Sequence, residues 1–202
     1  MSVVNQCKLM LVAFALLVAI TAPAAWADRR TEDKLKVAYV YNFIRFVHWP
    51  KDPNAHTSQP IRIGVIGPDR FVTIVRTMEQ EKAKNRSLVV RHYVGFEDRE
   101  NGSAETDAEW IKRLESLKTC QLLVIAGDRW MPGTNVTKLL AALEGSSILT
   151  IGESDDFLER GGIINFMKQG KKLRFEVNLK SAQHNQIKLE ASLLALAVRV
   201  LE

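Results

Sequence analysis

The chain has 202 residues, of which 47% are hydrophobic and 25% are charged, and its formal net charge is +5 at pH 7. This length fits one domain with a single ordinary core, so a second domain is not required. The basic residues are spread along the chain, whereas nucleic-acid binding needs them gathered on one face with aromatic residues among them. The composition therefore argues against a nucleic-acid partner.

Residues 1–27 have the pattern of a cleaved export signal. Lys8 supplies the positive charge, residues 9–20 form an apolar run, and Ala25-Trp26-Ala27 is a small-residue cleavage site. A retained membrane anchor is the alternative, but the apolar run is shorter than the roughly 20 residues that cross a bilayer. We expect a mature protein of residues 28–202, one domain located in the periplasm, beyond the reach of cytosolic ATP, NAD and nucleic acids.

The first predicted element of the mature chain is a helix over residues 31–47. Thr31 is a plausible N-cap, and apolar residues then follow at helical spacing on nearly every side of the helix. Such a helix should be packed on both sides, against a sheet and then against a further layer such as another subunit. His48-Trp49-Pro50 ends it, because the residue before a proline is pushed out of the helical region.

Strands and helices then alternate along the chain. We predict strands at 61–66, 88–94, 122–126 and 147–151, and helices at 71–81, 107–117 and 134–143. Residues 162–167 and 172–177 are predicted as a hairpin with Gly170 in its turn, and a strongly apolar helix spans 187–201. The predicted fold is α/β, a mostly parallel mixed sheet with an antiparallel C-terminal hairpin and helices on both faces.

The loops after the parallel strands are the usual place for a ligand in such a sheet. Four charged residues in these loops are candidates for lining a crevice: Asp69, Arg70, Arg129 and Asp155. The alternative is that these loops are polar only because loops generally are. No spacing among these residues is peculiar to one chemistry, so a small-molecule binding protein is the second hypothesis.

The sequence contains no pattern typical of an enzyme, a metal site or a cofactor. The four His residues are scattered, and neither a nucleophile elbow nor a dinucleotide fingerprint occurs. Cys7 belongs to the export signal, so Cys120 remains alone in the mature chain. We expect it to be buried at a strand start, and an intersubunit disulfide is the alternative. The chain is predicted not to be an enzyme and to need no cofactor.

The order of these features resembles the YfiR family of periplasmic repressors of membrane diguanylate cyclases. The similarity includes the opening helix at 36–44 with its Phe46-to-Pro50 ending, and the apolar strands at 61–67, 120–125 and 148–151. The most specific stretches are Gly161-Gly162-Ile163-Ile164-Asn165-Phe166, residues 173–179 and residues 193–197. The resemblance covers essentially the whole mature chain.

The resemblance implies a non-enzymatic protein that binds the periplasmic part of an inner-membrane sensor, a diguanylate cyclase or a kinase, and holds it inactive. It also implies control of cyclic-di-GMP signalling and biofilm formation, a homodimer, and capture by an outer-membrane lipoprotein. The family's type member has a disulfide later in the chain, where this sequence has no Cys. Redox control of folding is therefore not carried over.

A partner-binding protein needs an exposed apolar patch. The first helix and the aromatic residues at its end are the leading candidate, and the loop after Gly127 is the second. The candidate partner-binding residues are Tyr41, Phe46, Trp49, Arg129 and Trp130. For the two tryptophans the alternative is that each ring caps the core.

Overall fold

The computed structural model describes residues 29–50, 59–93, 106–127 and 133–202. The predicted export signal, Arg129 and Trp130 lie outside these residues. Contacts divide the chain into two units, residues 1–35 and 36–202. Of the first unit, residues 29–35 are helical; the second holds the sheets and both cores described below. The predicted single domain of 28–202 stays a prediction.

The helices are α1 at 29–46, α2 at Asp69–Val75, α3 at Asp107–Leu117, α4 at Gly133–Ala142, α5 at Leu179–His184 and α6 at Ala191–Leu194, with a 3-10 helix at Arg76–Gln80 after α2. The strands are β1 at Val47–His48, β2 at Ile61–Ile66, β3 at Lys82–Ala83, β4 at Arg86–Tyr93, β5 at Leu122–Ile125, β6 at Leu149–Gly152, β7 at Ile164–Gln169, β8 at Lys172–Asn178, β9 at Lys188–Leu189 and β10 at Val200–Leu201. Within the described residues, no helix combines the length and apolar character that crossing a membrane requires.

Eight of the strands form one mixed sheet in the order β10-β8-β7-β6-β5-β2-β4-β3. Its centre, from β4 to β7, is parallel, and β7 and β8 pair antiparallel as the predicted hairpin. Gly170 opens the hairpin turn with φ of 61°, a conformation in which glycine has no steric penalty. The separate pair β1 and β9 is antiparallel. The predicted α/β class and mixed, mostly parallel sheet are confirmed.

The two faces of the sheet bury separate cores, because successive strand residues point to opposite sides. On β5, Leu122 and Val124 belong to the core beneath α1 and α2, whereas Leu123 and Ile125 belong to the core beneath α3 and α4. Both sides of β5 are therefore apolar and fully buried, as the continuous apolar run at 122–126 predicts. Helices lie on both faces, which confirms that part of the predicted architecture.

Helix α1 starts earlier than predicted. It is already formed at residue 29, so Thr31 is not its N-cap; Arg29 and Arg30 are good helix formers and extend it. One side of the helix packs on the sheet as predicted, and packing of another side against a second subunit stays a prediction. Phe43 and Ile44 are buried in the first core, while Asn42 and Arg45 are exposed.

The predicted apolar helix over 187–201 is wrong. Residues 188–189 form β9, only 191–194 are α-helical, and 200–201 form β10. Gln186, with φ of 57°, turns the chain out of α5, and pairing with β1 then holds residues 188–189 extended. Tertiary pairing thus overrides the helical spacing of the apolar residues. The predicted helix at 71–81 is present as α2 followed directly by the 3-10 helix, which together span residues 69–80.

Candidate protein-binding surface

The aromatic residues at the end of α1 lie at the amino end of the sheet. Tyr41, Phe46 and Trp49 are half-buried and pack against the first core. The Trp49 indole Nε1 donates to the carbonyl oxygen of Gln121 at 3.0 Å, and the Tyr41 hydroxyl donates to the carbonyl oxygen of Lys82 at 2.9 Å. Each ring therefore has a structural role and keeps part of its surface in solvent, so the two interpretations of Trp49 are compatible.

The C-terminal segment runs beside this end of α1. The backbone N–H of Glu190 donates to the carbonyl oxygen of Phe46 at 3.0 Å, and the Glu190 carboxylate lies 2.8 Å from His48 Nε2. Helix α6 follows within one residue of Glu190. The structure thus places the residues after 190 next to one predicted partner-binding residue, Phe46.

Two large apolar side chains of this segment are exposed. Leu196 is 65% exposed and Val198 is 44% exposed, although both lie in a chain segment that is otherwise packed on the first core. We define the C-terminal apolar surface as these two residues together with the half-buried Leu194 and Ala197. Single exposed apolar residues are ordinary, but several exposed or half-buried ones within five residues of the chain are typical of an interaction surface.

An ion pair between the exposed Arg199 and the buried Glu176 holds this segment on the sheet. Arg199 Nε lies 2.6 Å from Glu176 Oε2 on β8, and Arg199 Nη2 lies 3.3 Å from Glu159 Oε1. Burial opposes ionisation of Glu176, but hydrogen bonds from Arg199 and Asn165 outweigh it and lower the pKa of the carboxyl group. The same pairing raises the pKa of Arg199. Val198 and Arg199 also bond to the β8 backbone, so Leu196 and Val198 lie on a turn segment that is anchored directly before β10.

Sequence reasoning missed Leu196 and Val198 because it assigned residues 187–201 to one helix. A signal was nevertheless present: that predicted helix had little polar face, so some of its apolar residues had to be covered by a second layer or remain exposed. Exposure of a particular side chain depends on tertiary packing and is not set by spacing along the sequence.

The predicted ligand crevice lies at the opposite, carboxyl end of the sheet. Asp69 has a side chain that is 94% exposed and lies 3.5 Å from His92 Nδ1; Arg70 and Asp155 are also exposed. Asp69 follows β2 and Asp155 follows β6, and β5 lies between these strands, so their backbones start roughly 10 Å apart. The fourth residue, Arg129, is outside the described residues, and the crevice stays a prediction.

Two contacts reduce the space between elements at the carboxyl end of the sheet. Gly67 approaches so closely that a β-carbon on it would lie 2.8 Å from the β-carbon of Ala126. Lys36 of α1 and Glu153, which directly follows β6, form a largely buried ion pair. Across the described residues, no His, Cys, Asp and Glu side chains are grouped in threes that could hold a metal ion.

Cys120 is 3% exposed and lies two residues before the buried strand β5; its burial is as predicted. Burial raises the pKa of its thiol, and its sulfur lies 3.6 Å from the Tyr93 hydroxyl. A buried thiol with a raised pKa is a poor nucleophile, so Cys120 has the properties of a core residue.

The described residues define an α/β protein with a mixed, mostly parallel eight-stranded sheet. Residues 33–198 match the YfiR/HmsC-like family, DUF4154, and the chain belongs to that family. The predicted family resemblance is thereby confirmed. At the level of the family, YfiR-like proteins are regulators of cyclic-di-GMP signalling rather than enzymes.

Comparison with solved structures extends to more distant proteins. An ABC domain from Streptococcus pneumonia in complex with L-Trp has a TM-score of 0.51 at 12% identity, over 80% of this chain and 59% of that one. A conserved domain protein from Vibrio cholerae O1 biovar eltor has a TM-score of 0.49 at 13% identity, over 73% and 57%. The chain thus spans less than three fifths of either structure, and the first likeness concerns the fold alone. No curated protein matches the sequence.

Proposed function

We propose that this chain is a periplasmic regulatory protein that binds the periplasmic part of an inner-membrane sensor and represses it. The sensor is a diguanylate cyclase or a sensor kinase, and the result is control of cyclic-di-GMP signalling and biofilm formation. Family membership over residues 33–198 is the observation that carries this proposal. The predicted export signal at 1–27 supports the periplasmic location.

The C-terminal apolar surface is the proposed contact with the sensor. Its two exposed members lie on a segment anchored by the Arg199–Glu176 ion pair, so little ordering is needed when a partner covers them. Burying an apolar side chain in a partner contributes about 1.5–3 kcal/mol.

The proposed mechanism is a shift in the population of sensor conformations. A sensor with an active and an inactive conformation is drawn into whichever state the regulator binds more tightly. Such repression requires no catalytic group on the regulator, only a stable scaffold and a surface that can be competed away. We include capture by an outer-membrane lipoprotein and a homodimer in the proposal, as the family resemblance implies.

Crosslinking in the intact periplasm, followed by identification of the captured protein, tests the partner. The native chain should capture an inner-membrane sensor, and the double variant Leu196→Asp/Val198→Asp should capture much less. Ile111→Asp is the matched control, because Ile111 is also a large apolar residue, 55% exposed, but lies on α3. Equal capture by all three proteins would contradict the proposed contact surface. The absence of any membrane sensor among the captured proteins would contradict the proposed partner.

A further inference from the structure

A cavity of about 270 Å³ lies between α4 and α5, away from the C-terminal apolar surface. Leu140 on α4, Glu144 just after α4, and Arg160 in the β6–β7 connection line one part of it. Helix α5 contributes Lys180, Ser181 and His184. This volume is at the lower end of the range for ligand sites, so a small metabolite fits and a drug-sized molecule does not.

The frame of this cavity is fixed by internal hydrogen bonds. Arg160 Nη1 donates to Thr137 Oγ1 on α4 at 2.6 Å, and its guanidinium also pairs with Asp156. The side-chain amide of Asn178 donates an N–H to the carbonyl oxygen of Leu158 at 2.9 Å. Its amide oxygen accepts from the backbone N–H of Ser181 at 2.8 Å. The walls are thus held in place without a ligand, which lowers the entropy cost of binding one.

Four polar side chains around the cavity make no hydrogen bond or ion pair within the described residues. They are those of Glu144, Lys180, Ser181 and His184. Lys180, Ser181 and His184 occupy positions i, i+1 and i+4 of α5 and therefore share one side of that helix. An ammonium group, a hydroxyl group and an imidazole consequently lie together at one wall, with Arg160 at another.

These groups are mostly hydrogen-bond donors. Lysine and arginine donate only, and serine and histidine each donate or accept, so Glu144 is the one group among the six named wall residues that only accepts. Asp156 pairs with Arg160, and Glu144 offsets the charge of Lys180, so the cavity favours an oxyanion through its donor groups and not through a net charge. Charge-assisted hydrogen bonds from such donors are the stronger ones, and they are made to carboxylate or phosphate oxygens.

We propose that the cavity between α4 and α5 binds a small oxyanion, a carboxylate or phosphate metabolite, with Lys180, Ser181 and His184 donating to its oxygens. Leu140 supplies an apolar wall for the carbon part of the ligand. The site lies on the regulator itself, so binding there requires neither the sensor nor the lipoprotein.

Isothermal titration calorimetry on the purified protein tests this site with sodium phosphate and, in a second arm, sodium succinate, each at constant ionic strength set by sodium chloride. Saturable one-site binding in either arm is expected, and the tighter arm identifies the oxyanion. Lys180→Glu should weaken binding by roughly tenfold or more, because it removes a charge-assisted hydrogen bond and adds repulsion. Lys112→Glu is the matched control, an exposed lysine on α3 with the same change of charge.

Three results would overturn the proposal. The first is the absence of saturable binding in both arms by protein whose circular dichroism shows it folded. The second is equal weakening by Lys180→Glu and Lys112→Glu, which would mean that only net charge matters. The third is saturable binding of the dication 1,4-diaminobutane in place of either anion, which would make Glu144 the binding group.

Discussion

The ring of Phe157 occupies the space that a β-carbon would take at two glycines. A β-carbon on Gly152 or on Gly162 would overlap this ring, which is 1% exposed in the second core. Neither glycine has a positive φ, so the requirement for glycine here comes from packing and not from the backbone conformation. The two glycines and Phe157 thus fix the connection between β6 and β7.

Gly162→Ala should therefore destabilise the protein by roughly 1–3 kcal/mol, the usual effect of overpacking a core. Urea denaturation of the purified variant measures this. Gly64→Ala is the comparison and should cost less, because its β-carbon would meet its nearest atom, Leu123 Cδ1, at 3.1 Å, whereas one on Gly162 would lie 2.1 Å from the Phe157 ring. In a Phe157→Ala background the penalty of Gly162→Ala should vanish, and a penalty that persists there would show that Phe157 is not its cause.

Glu176 links stability to pH. Its pKa is lowered in the folded state, so the folded state favours the ionised carboxylate. The stabilisation is therefore complete above the unfolded pKa of about 4.3 and is lost as the pH falls through the folded value. Between about pH 6 and about pH 3, the native protein should lose more unfolding free energy than Glu176→Gln does, measured by denaturation at each pH.

Glu159→Gln is the control for this pH dependence. Glu159 also contacts Arg199, at 3.3 Å, but its side chain is 51% exposed and screened by water. Its substitution should leave the pH dependence close to that of the native protein. If Glu176→Gln and the native protein lose stability in parallel as the pH falls, the lowered pKa of Glu176 is wrong.

At the scale of elements, α3 shows how fully a local sequence signal can specify a helix. Thr106 accepts from the backbone N–H of Glu109 at 3.3 Å, and the Glu109 carboxylate accepts from the backbone N–H of Thr106 at 2.9 Å. This reciprocal capping box begins the helix at Asp107, the residue at which the sequence predicts it to begin.

Thr106→Ala should lower the unfolding free energy by about 1 kcal/mol, since it removes the cap oxygen. Thermal unfolding followed by circular dichroism measures the change. Thr73→Ala is a matched control on α2, because the Thr73 hydroxyl donates to a carbonyl oxygen within the helix and caps nothing. A Thr106→Ala protein as stable as the Thr73→Ala protein would contradict the role of the capping box.

Elements with a local cause were predictable, and those set by distant pairing were not. The buried strands β2, β5 and β6 are mostly apolar on both faces, and the hairpin has glycine at its turn. Each of these elements could therefore be predicted from the sequence. The two-residue strands β1, β9 and β10 have too few residues to show any period. Their pairing partners are far away in the chain, and only the folded structure reveals them.

The same division holds for the candidate site. The sequence identified Tyr41, Phe46 and Trp49 by residue type and position, and the structure places all three at the amino end of the sheet, half-buried. It did not identify Leu196 and Val198, because their exposure results from β9 and β10 replacing a helix. Residue chemistry is readable from sequence, whereas solvent exposure is a property of the assembled fold.

At the scale of the whole molecule, the two ends of the sheet carry different features. The carboxyl end holds the narrowed crevice with Asp69 and the Lys36–Glu153 pair. The amino end holds Trp49 against Gln121, and the segment after Glu190 leads from there to the sheet edge at β10. Val198 bonds to Phe175, which pairs with Phe166 one residue beyond the level of Gly152, so the C-terminal apolar surface reaches the carboxyl end at this edge of the sheet.

The concentration of cyclic-di-GMP in a deletion strain tests the proposed repression most directly. Deletion should raise it, and expression of the native chain with its first 27 residues should restore the lower level. Leu196→Asp/Val198→Asp at equal abundance should fail to restore it, whereas Ile111→Asp should succeed. An unchanged concentration on deletion would contradict the proposed function, and full restoration by the double variant would contradict the proposed surface.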